Sequence, residues 1–569
     1  MFSNLPQTPP EFMNLSWTQL EPYYRDLVGR PVNQSTIASW LADWSQLNRL
    51  VEEIFDRLYV SITVNTSDQQ AEARYEAFLD EIRPSAGEAN QKLKQKLLTS
   101  GLEPPGFQVP LRNMRAEAEL FREENLKLLS DESKQSAEYS RIVGAQSVNW
   151  EGQERTIPQL QTIYQEADRS TRERAWRLGM ERQLQDRQAI NSMWADLLKL
   201  RSQLAANADL PSYRDYRWRQ LLRFDYSPED CFRFHQAIEE VVLPVAQKIY
   251  EKRRQRLGVA TLRPWDLFVD PFSEPPLAPF QSIAELENTS ARIFHRVDPQ
   301  FGAYFDSLRH EGLLDLENRK AKAPGAYCIG FDLSRKPFIF ANAVGIHDDV
   351  LTVLHEAGHA FHHFEASQLP YSHQMKIPME FLEVASMSME LLAAPYLTAE
   401  AGGFYSTRDA SRARIDHLEH QILFWPYMAV VDAFQHWVYE NPQAASDPEN
   451  CDTRWAEIWD RFMLEVDWSG LEAEKATGWQ RKVHILEDPF YYVEYGLALL
   501  GAMQIWSYAM QDQAGATAAY RKALALGGTV TLAELYAAAG ARFAFDAGTL
   551  GEAVALIEAT LERLERELD

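Results

Sequence analysis

One short pattern constrains this chain more than any other: His-Glu-x-x-His in a helical frame. It lies in Leu354-His355-Glu356-Ala357-Gly358-His359-Ala360-Phe361-His362. Val350, Leu351, Leu354, Ala357 and Phe361 recur at helical spacing, which predicts an amphipathic helix. Asp348 and Asp349 stand just ahead as candidate caps that suit its positive end. At i and i+4, His355 and His359 share one face, with Cβ atoms about 5–6 Å apart. Two imidazoles so placed can reach one zinc ion at about 2.0–2.1 Å. Glu356, next to the first histidine, can lean over the metal without binding it and take a proton from a water molecule there. Three fixed positions also arise by chance in a long chain, so the surroundings must carry the weight.

A zinc site of this kind needs a third protein ligand and a fourth position for water. Ile377-Pro378 opens a second helix, with Pro near its first turn. Glu383 and Glu390 fall on one face of it. Phe381, Leu382, Val384 and Met387 surround Glu383 with apolar residues, and a buried carboxylate needs a partner. Glu383 is therefore the candidate third ligand. Glu390 competes for that role, or else orients a ligand histidine from behind. A metzincin would carry Gly at 362 and His at 365; His362 and Glu365 exclude that scheme.

Before the zinc helix the helical habit breaks. Residues 326–329 and 336–342 read as two short strands, punctuated by Gly325, Gly330 and Gly345. An extended peptide can pair along a strand edge through main-chain hydrogen bonds that ignore side-chain identity. Phe338, Phe340 and Ala341 are the candidate substrate contacts. Further on, His484 is followed closely by Tyr491, Tyr492 and Tyr495. Tyrosine and histidine are donors that can hold the oxyanion formed when water attacks a peptide carbonyl.

The rest of the chain reads as scaffold. Residues 12–59, 227–256, 282–296, 405–440 and 451–467 are helical in pattern, and 111–141 and 158–208 are long, highly charged helical stretches. Tyr139 to Gly152 reads as a short hairpin, 259–281 as a proline-rich connector, and 515–569 as an Ala-rich helical cap. Nothing in the first 200 residues has catalytic spacing. With 569 residues, the chain exceeds what a single core supports. The expected division is a helical lobe over 1–200 and a catalytic lobe over 201–569. A net charge of −25 disfavours nucleic acid and anionic membrane as partners. Three scattered cysteines, no secretory leader in the first residues, and no apolar run of about 18 residues lead to a cytoplasmic expectation.

Taken together, four separated motifs resemble the oligoendopeptidase F and thimet oligopeptidase family of zinc peptidases. They are His355 to His362; Phe381-Leu382-Glu383-Val384-Ala385-Ser386; Pro337-Phe338-Ile339-Phe340-Ala341-Asn342; and His484 followed by Pro489-Phe490-Tyr491-Tyr492-Val493-Glu494-Tyr495. The resemblance runs from about 200 to 560, and the first 200 residues match only in being helical. It implies His355, His359 and Glu383 as ligands of one zinc ion per chain, and Glu356 as general base. It implies His484, Tyr492 and Tyr495 as substrate or transition-state contacts, with Tyr491 a substrate contact that can stand in for Tyr492. The implied fold is mainly α, two-lobed, with a deep substrate channel and a small β-sheet beside the zinc helix. The expected activity is a zinc endopeptidase acting on short unfolded oligopeptides. A dipeptidyl carboxypeptidase-like exopeptidase and a non-enzymatic helical interaction protein are the alternatives.

Overall fold

Helical periodicity in the sequence becomes helix along most of the chain. The structure is a computed structural model, and it describes every residue except Met1, Ser3, Ser273, Lys320, Pro324 and Asp569. Among the described residues, strands form only a two-stranded and a three-stranded sheet. Helix α1 (Ile37–Val64) buries Trp40, Leu41, Trp44, Leu47, Leu50 and Ile54, a stripe at three- and four-residue spacing. The charged stretches become Gln108–Leu120 and Glu123–Gly144, then Arg169–Gln185 and Arg187–Asn207. The hairpin sits later than the sequence suggests. β1 (Ser147–Trp150) pairs with β2 (Gln153–Thr156) around Glu151 and Gly152, both at positive φ. Tyr139 belongs to the helix before it, because that helix continues to Gly144.

Apolar packing does not break at residue 200. Leu5 to Met114 form one buried cluster, to which Leu333 and Tyr371 also pack. A larger cluster begins at Leu120 and runs to Leu568, taking in Ile190, Trp194, Leu197 and Leu198. The charged helices hide narrow apolar faces under a polar surface pattern, so their allegiance is set by what those faces meet. Helix α1 also reaches the region of the zinc motif. Arg49 Nη2 donates to the Leu369 carbonyl at 2.8 Å, and the hydroxyls of Thr63 and Tyr327 lie 2.5 Å apart.

The three-stranded sheet corrects the expectation for residues 336–342. Its order is β3 (Leu314–Glu317), β5 (Lys336–Ala343), β4 (Tyr327–Phe331). β5 is the middle strand, parallel to β3 and antiparallel to β4. Both of its main-chain sides are occupied, and Phe338, Phe340 and Ala341 are buried. They cannot serve as a substrate edge; Phe338 and Phe340 instead make a small apolar cluster with Phe331. The edge strand nearest the zinc motif is β4. A Cβ on Gly330 of that strand would lie 2.3 Å from the His363 ring, so glycine is what lets β4 lie on the next helix.

That helix, α2 (His347–Ala366), carries the zinc motif. Asp349 fixes its start: one carboxylate oxygen accepts from the backbone N–H groups of Val344, Gly345 and Ile346 at 2.8, 2.7 and 2.9 Å, a charge-assisted cap at the positive end. Helix α3 (Met379–Ala393) packs across α2 at Gly358, where a Cβ would fall 2.6 Å from Ser386 Cα and 2.8 Å from the Ala385 carbonyl. Helices α4 (Thr407–Glu440) and α5 (Val493–Gln511) complete the surroundings. Gly501 of α5 lies against Val384 of α3, with a would-be Cβ 3.0 Å from its Cγ2.

Candidate active site

The close approach of α2 and α3 at Gly358 brings the two halves of the predicted site together. Glu383 Oε2 lies 3.4 Å from His355 Nε2 and 3.8 Å from His359 Nε2. One donor atom from each of the three falls within 4.8 Å of the others. Two imidazole nitrogens and a carboxylate oxygen are the donor set that zinc accepts with one position left open. Geometry separates the two candidate glutamates. Glu383 faces the Nε2 atoms, whereas Glu390 Oε1 lies 2.7 Å from His355 Nδ1, on the other side of the ring.

Glu390 is itself held. Its second oxygen is 2.8 Å from His417 Nε2 on α4. Burial would raise the Glu390 carboxyl, but hydrogen bonds with His355 and His417 outweigh it and bring it down to about 2. His417 was not visible in sequence. It belongs to no recognisable motif on its long helix, and only the fold brings it to the site.

Glu356 is buried beside the cluster. Burial, reinforced by the charges of Glu383 and Glu390 and opposed by His355, pushes its carboxyl up to about 7. That places it where a group can both take and return a proton near neutrality. Burial depresses His359 to about 4 despite Glu383, which leaves a neutral imidazole, the form that ligates. Cys328 of β4 lies close enough for the Glu356 charge to act on its thiol, so this strand runs beside Glu356.

The aromatic segment sits opposite. The His484 ring lies 5.7, 5.0 and 6.0 Å from those of Tyr491, Tyr492 and Tyr495, centroid to centroid. Burial, then the Lys482 charge, bring His484 down to about 4, so it is a neutral ring with a proton to donate. The three tyrosines differ. Burial raises all of them, but Glu383 adds to the shift only for Tyr491 and for Tyr495, the latter reaching about 12. The Tyr492 hydroxyl is governed by burial, Tyr427 and Tyr495. Its ring packs against Phe424 and Tyr427 and lies 3.9 Å under the Lys482 ammonium. Tyr491 and Tyr495 are therefore the pair within reach of the Glu383 charge, and Tyr492 is the packed member.

The segment owes its shape to contacts that no motif announced. Phe490 adopts a left-handed φ of 66°, a strained value for a bulky residue. Its N–H donates to Gln435 Oε1 at 2.6 Å, and its carbonyl accepts from the buried Arg223, which also pairs with Glu494. Arg217 donates to the Pro489 carbonyl at 3.1 Å.

Comparison with known proteins follows the same lines. The description of Peptidase family M3 matches residues 162–553, and that of the Peptidase M3 N-terminal domain matches residues 9–104. A curated relative, the chromosomal oligoendopeptidase F of Lactococcus lactis subsp. cremoris, is 26% identical over 34% of this chain. The match spans only 32% of that relative's length. PZ peptidase A, solved with an inhibitor, is 27% identical with a TM-score of 0.85, covering 99% of both chains. A crystal structure provisionally named an oligoendopeptidase F superposes with a TM-score of 0.86 at 26% identity, covering 99% of this chain and 98% of its own.

Proposed function

Since the chain belongs to peptidase family M3, we propose that it is a zinc-dependent endopeptidase that hydrolyses internal bonds of short, unfolded oligopeptides. The observation that carries this reading is the convergence of His355 Nε2, His359 Nε2 and Glu383 Oε2 beside a buried Glu356. His355, His359 and Glu383 would hold the ion. When bound, zinc supplies Lewis acidity toward the scissile carbonyl and the attacking water.

The chain's own residues do the rest. Glu356 takes the proton of the attacking water and returns it to the leaving nitrogen, a role suited to a carboxyl near neutral pKa. Glu390 holds His355 by its Nδ1 and so keeps Nε2 turned toward Glu383. His484, Tyr491 and Tyr495 donate hydrogen bonds to the oxyanion of the tetrahedral intermediate. The edge of β4, in place of β5, aligns the substrate main chain. A channel between an N-terminal lobe and the catalytic lobe restricts entry to unfolded peptides. The site of action is the cytoplasm, in keeping with Cys231, Cys328 and Cys451 all being free thiols.

The test is cleavage of end-blocked peptides of graded length by the purified chain, read by mass spectrometry with chelator and with zinc restored. Internal cuts that vanish with chelator and return with zinc support the reading. Release of C-terminal dipeptides alone would make the enzyme an exopeptidase on the same scaffold. A preparation that neither holds metal nor cleaves any peptide would leave a helical interaction protein.

A further inference from the structure

We propose that the Lys482 ammonium binds a carboxylate of the peptide substrate close to the scissile bond. The inference rests on the peptidase reading above and names the peptides that its site favours. Lys482 stands at the N-cap of the short helix Val483–Leu486, which carries His484. Its side chain turns onto the aromatic segment. Nζ lies 3.9 Å from the Tyr492 ring centroid and 5.2 Å from that of Tyr427 on α4. The Tyr492 ring is in turn 5.0 Å from the His484 ring, and the Lys482 charge acts on that imidazole. At about 3.3 Å per extended residue, the ammonium stands within about three substrate residues of this oxyanion donor.

The ammonium lacks an anion. Lysine carries three donors, yet among the described residues Lys482 forms no ion pair, and its side chain meets the faces of two tyrosine rings. Burial alone acts on it, bringing it down to about 8, so it stays charged at neutral pH. The cations near it are engaged: Arg481 donates to Thr477 Oγ1 at 3.0 Å, Lys475 pairs with Asp460 at 2.8 Å, and Arg223 pairs with Glu494. A chain with a net charge of −25 is rich in carboxylates, and a half-buried cation without one carries an uncompensated cost. Ring faces are negative, so they hold the ammonium but repel an anion. A carboxylate therefore approaches from the side away from the rings, since Lys482 keeps part of its surface exposed. It supplies the charge-assisted hydrogen bond that neither ring can.

A peptide offers such a group in two ways, as an acidic side chain or as its own C-terminus. Glu356, Glu383 and Glu390 crowd the other side of the site with negative charge. Lys482 is the fixed positive charge that lets an acidic group settle beside them.

The experiment measures kcat/KM of the zinc-loaded full chain on matched oligopeptides. In one set both ends are blocked, and Glu or Gln occupies each position within three residues of the cut. In a second set the peptides differ only in a free or an amidated C-terminus. The unmutated chain should favour Glu over Gln at one position, or free acid over amide, by about 10–100-fold. The set that shows the preference identifies the source of the carboxylate. Lys482→Arg should keep the preference. Lys482→Met should bring the ratio near one, with the loss falling on KM of the acidic peptide, and Lys482→Glu should invert it. An unmutated chain that shows no preference in either set overturns the proposal, even if Lys482→Met fails to fold. A folded Lys482→Met that keeps the ratio does the same, however slow it becomes, because the lysine would then only support His484 and Tyr492. Both results leave the peptidase reading standing, whereas a chain that cleaves no peptide removes that reading and the proposal together.

Discussion

His355 Nδ1 and Glu390 Oε1 face each other across 2.7 Å. The contact fixes the tautomer that points Nε2 at Glu383, and His417 fixes Glu390 in turn. Glu390→Gln should weaken zinc binding by roughly 10–100-fold, the usual effect of losing a partner behind a ligand histidine. His417→Ala should shift it the same way, but less. Competition against a chromophoric chelator measures both. Unchanged affinity in Glu390→Gln would reduce that residue to a packing role.

Gly358→Ala tests whether the helix crossing positions the ligand. Alanine is the better helix former by about 1 kcal/mol, so helix propensity alone predicts a stabler protein. The added Cβ would instead meet backbone of α3 at 2.6 and 2.8 Å. Parting the helices should cost about 1–3 kcal/mol of stability and, by moving Glu383, about 100-fold in turnover. Thermal melts and peptide assays read the two effects. A melting temperature at or above that of the parent would show that the crossing tolerates the methyl group.

Glu356→Gln keeps the shape of the side chain and removes its basicity. It should retain zinc while turnover falls by about 10²–10⁴-fold. Peptide cleavage at the parental rate would remove Glu356 from the proton-transfer role.

The tyrosines should divide according to their relation to Glu383. Tyr491→Phe or Tyr495→Phe, whichever donates to the oxyanion, should lower kcat by about 10²–10³-fold with little change in KM. Tyr492→Phe should leave kcat within a few-fold, since its ring is engaged by Phe424, Tyr427 and Lys482. A large kcat loss confined to Tyr492→Phe would reverse the assignment.

Glu419 offers a pH signature away from the site. It is buried on α4, and its nearest cations are Arg253 and Arg256 at 4.0 and 3.9 Å. Burial outweighs these arginines and raises its carboxyl from 4.5 to about 7. The folded state therefore holds a proton that the unfolded chain has released. This group's contribution is most favourable below pH 4.5 and falls as pH rises toward 7, by on the order of 3 kcal/mol. Glu419→Gln should flatten that fall in urea-denaturation midpoints measured across the window. An unaltered slope would mean that the carboxyl ionises normally.

How much of the site was legible depended on how local its chemistry is. His355, Glu356 and His359 occupy one helix turn, where 3.6-residue geometry alone puts them together. Glu383 was legible as a carboxylate in an apolar run. Glu390 was legible as a choice between two roles, and the distances place it behind His355. The edge of the sheet was misjudged because strand order is a tertiary fact: β5 looks like an edge until β3 and β4 pair on either side of it. The sequence offered the tyrosines as a group without an order, and which of them feel the Glu383 charge depends on how the segment folds.

By itself, the sequence determined a mainly helical chain, the helix that presents two histidines and a glutamate, and the existence of a carboxylate to meet them. Periodicity and spacing encode those because they act within one or two turns of backbone. Only the tertiary structure decided that His417 stands behind Glu390 and that Gln435 and Arg223 hold Phe490. Those residues are brought together by helix crossings between segments far apart in the chain. A crossing is set by which small residues allow two backbones to touch, as Gly358 does for the zinc-motif helix.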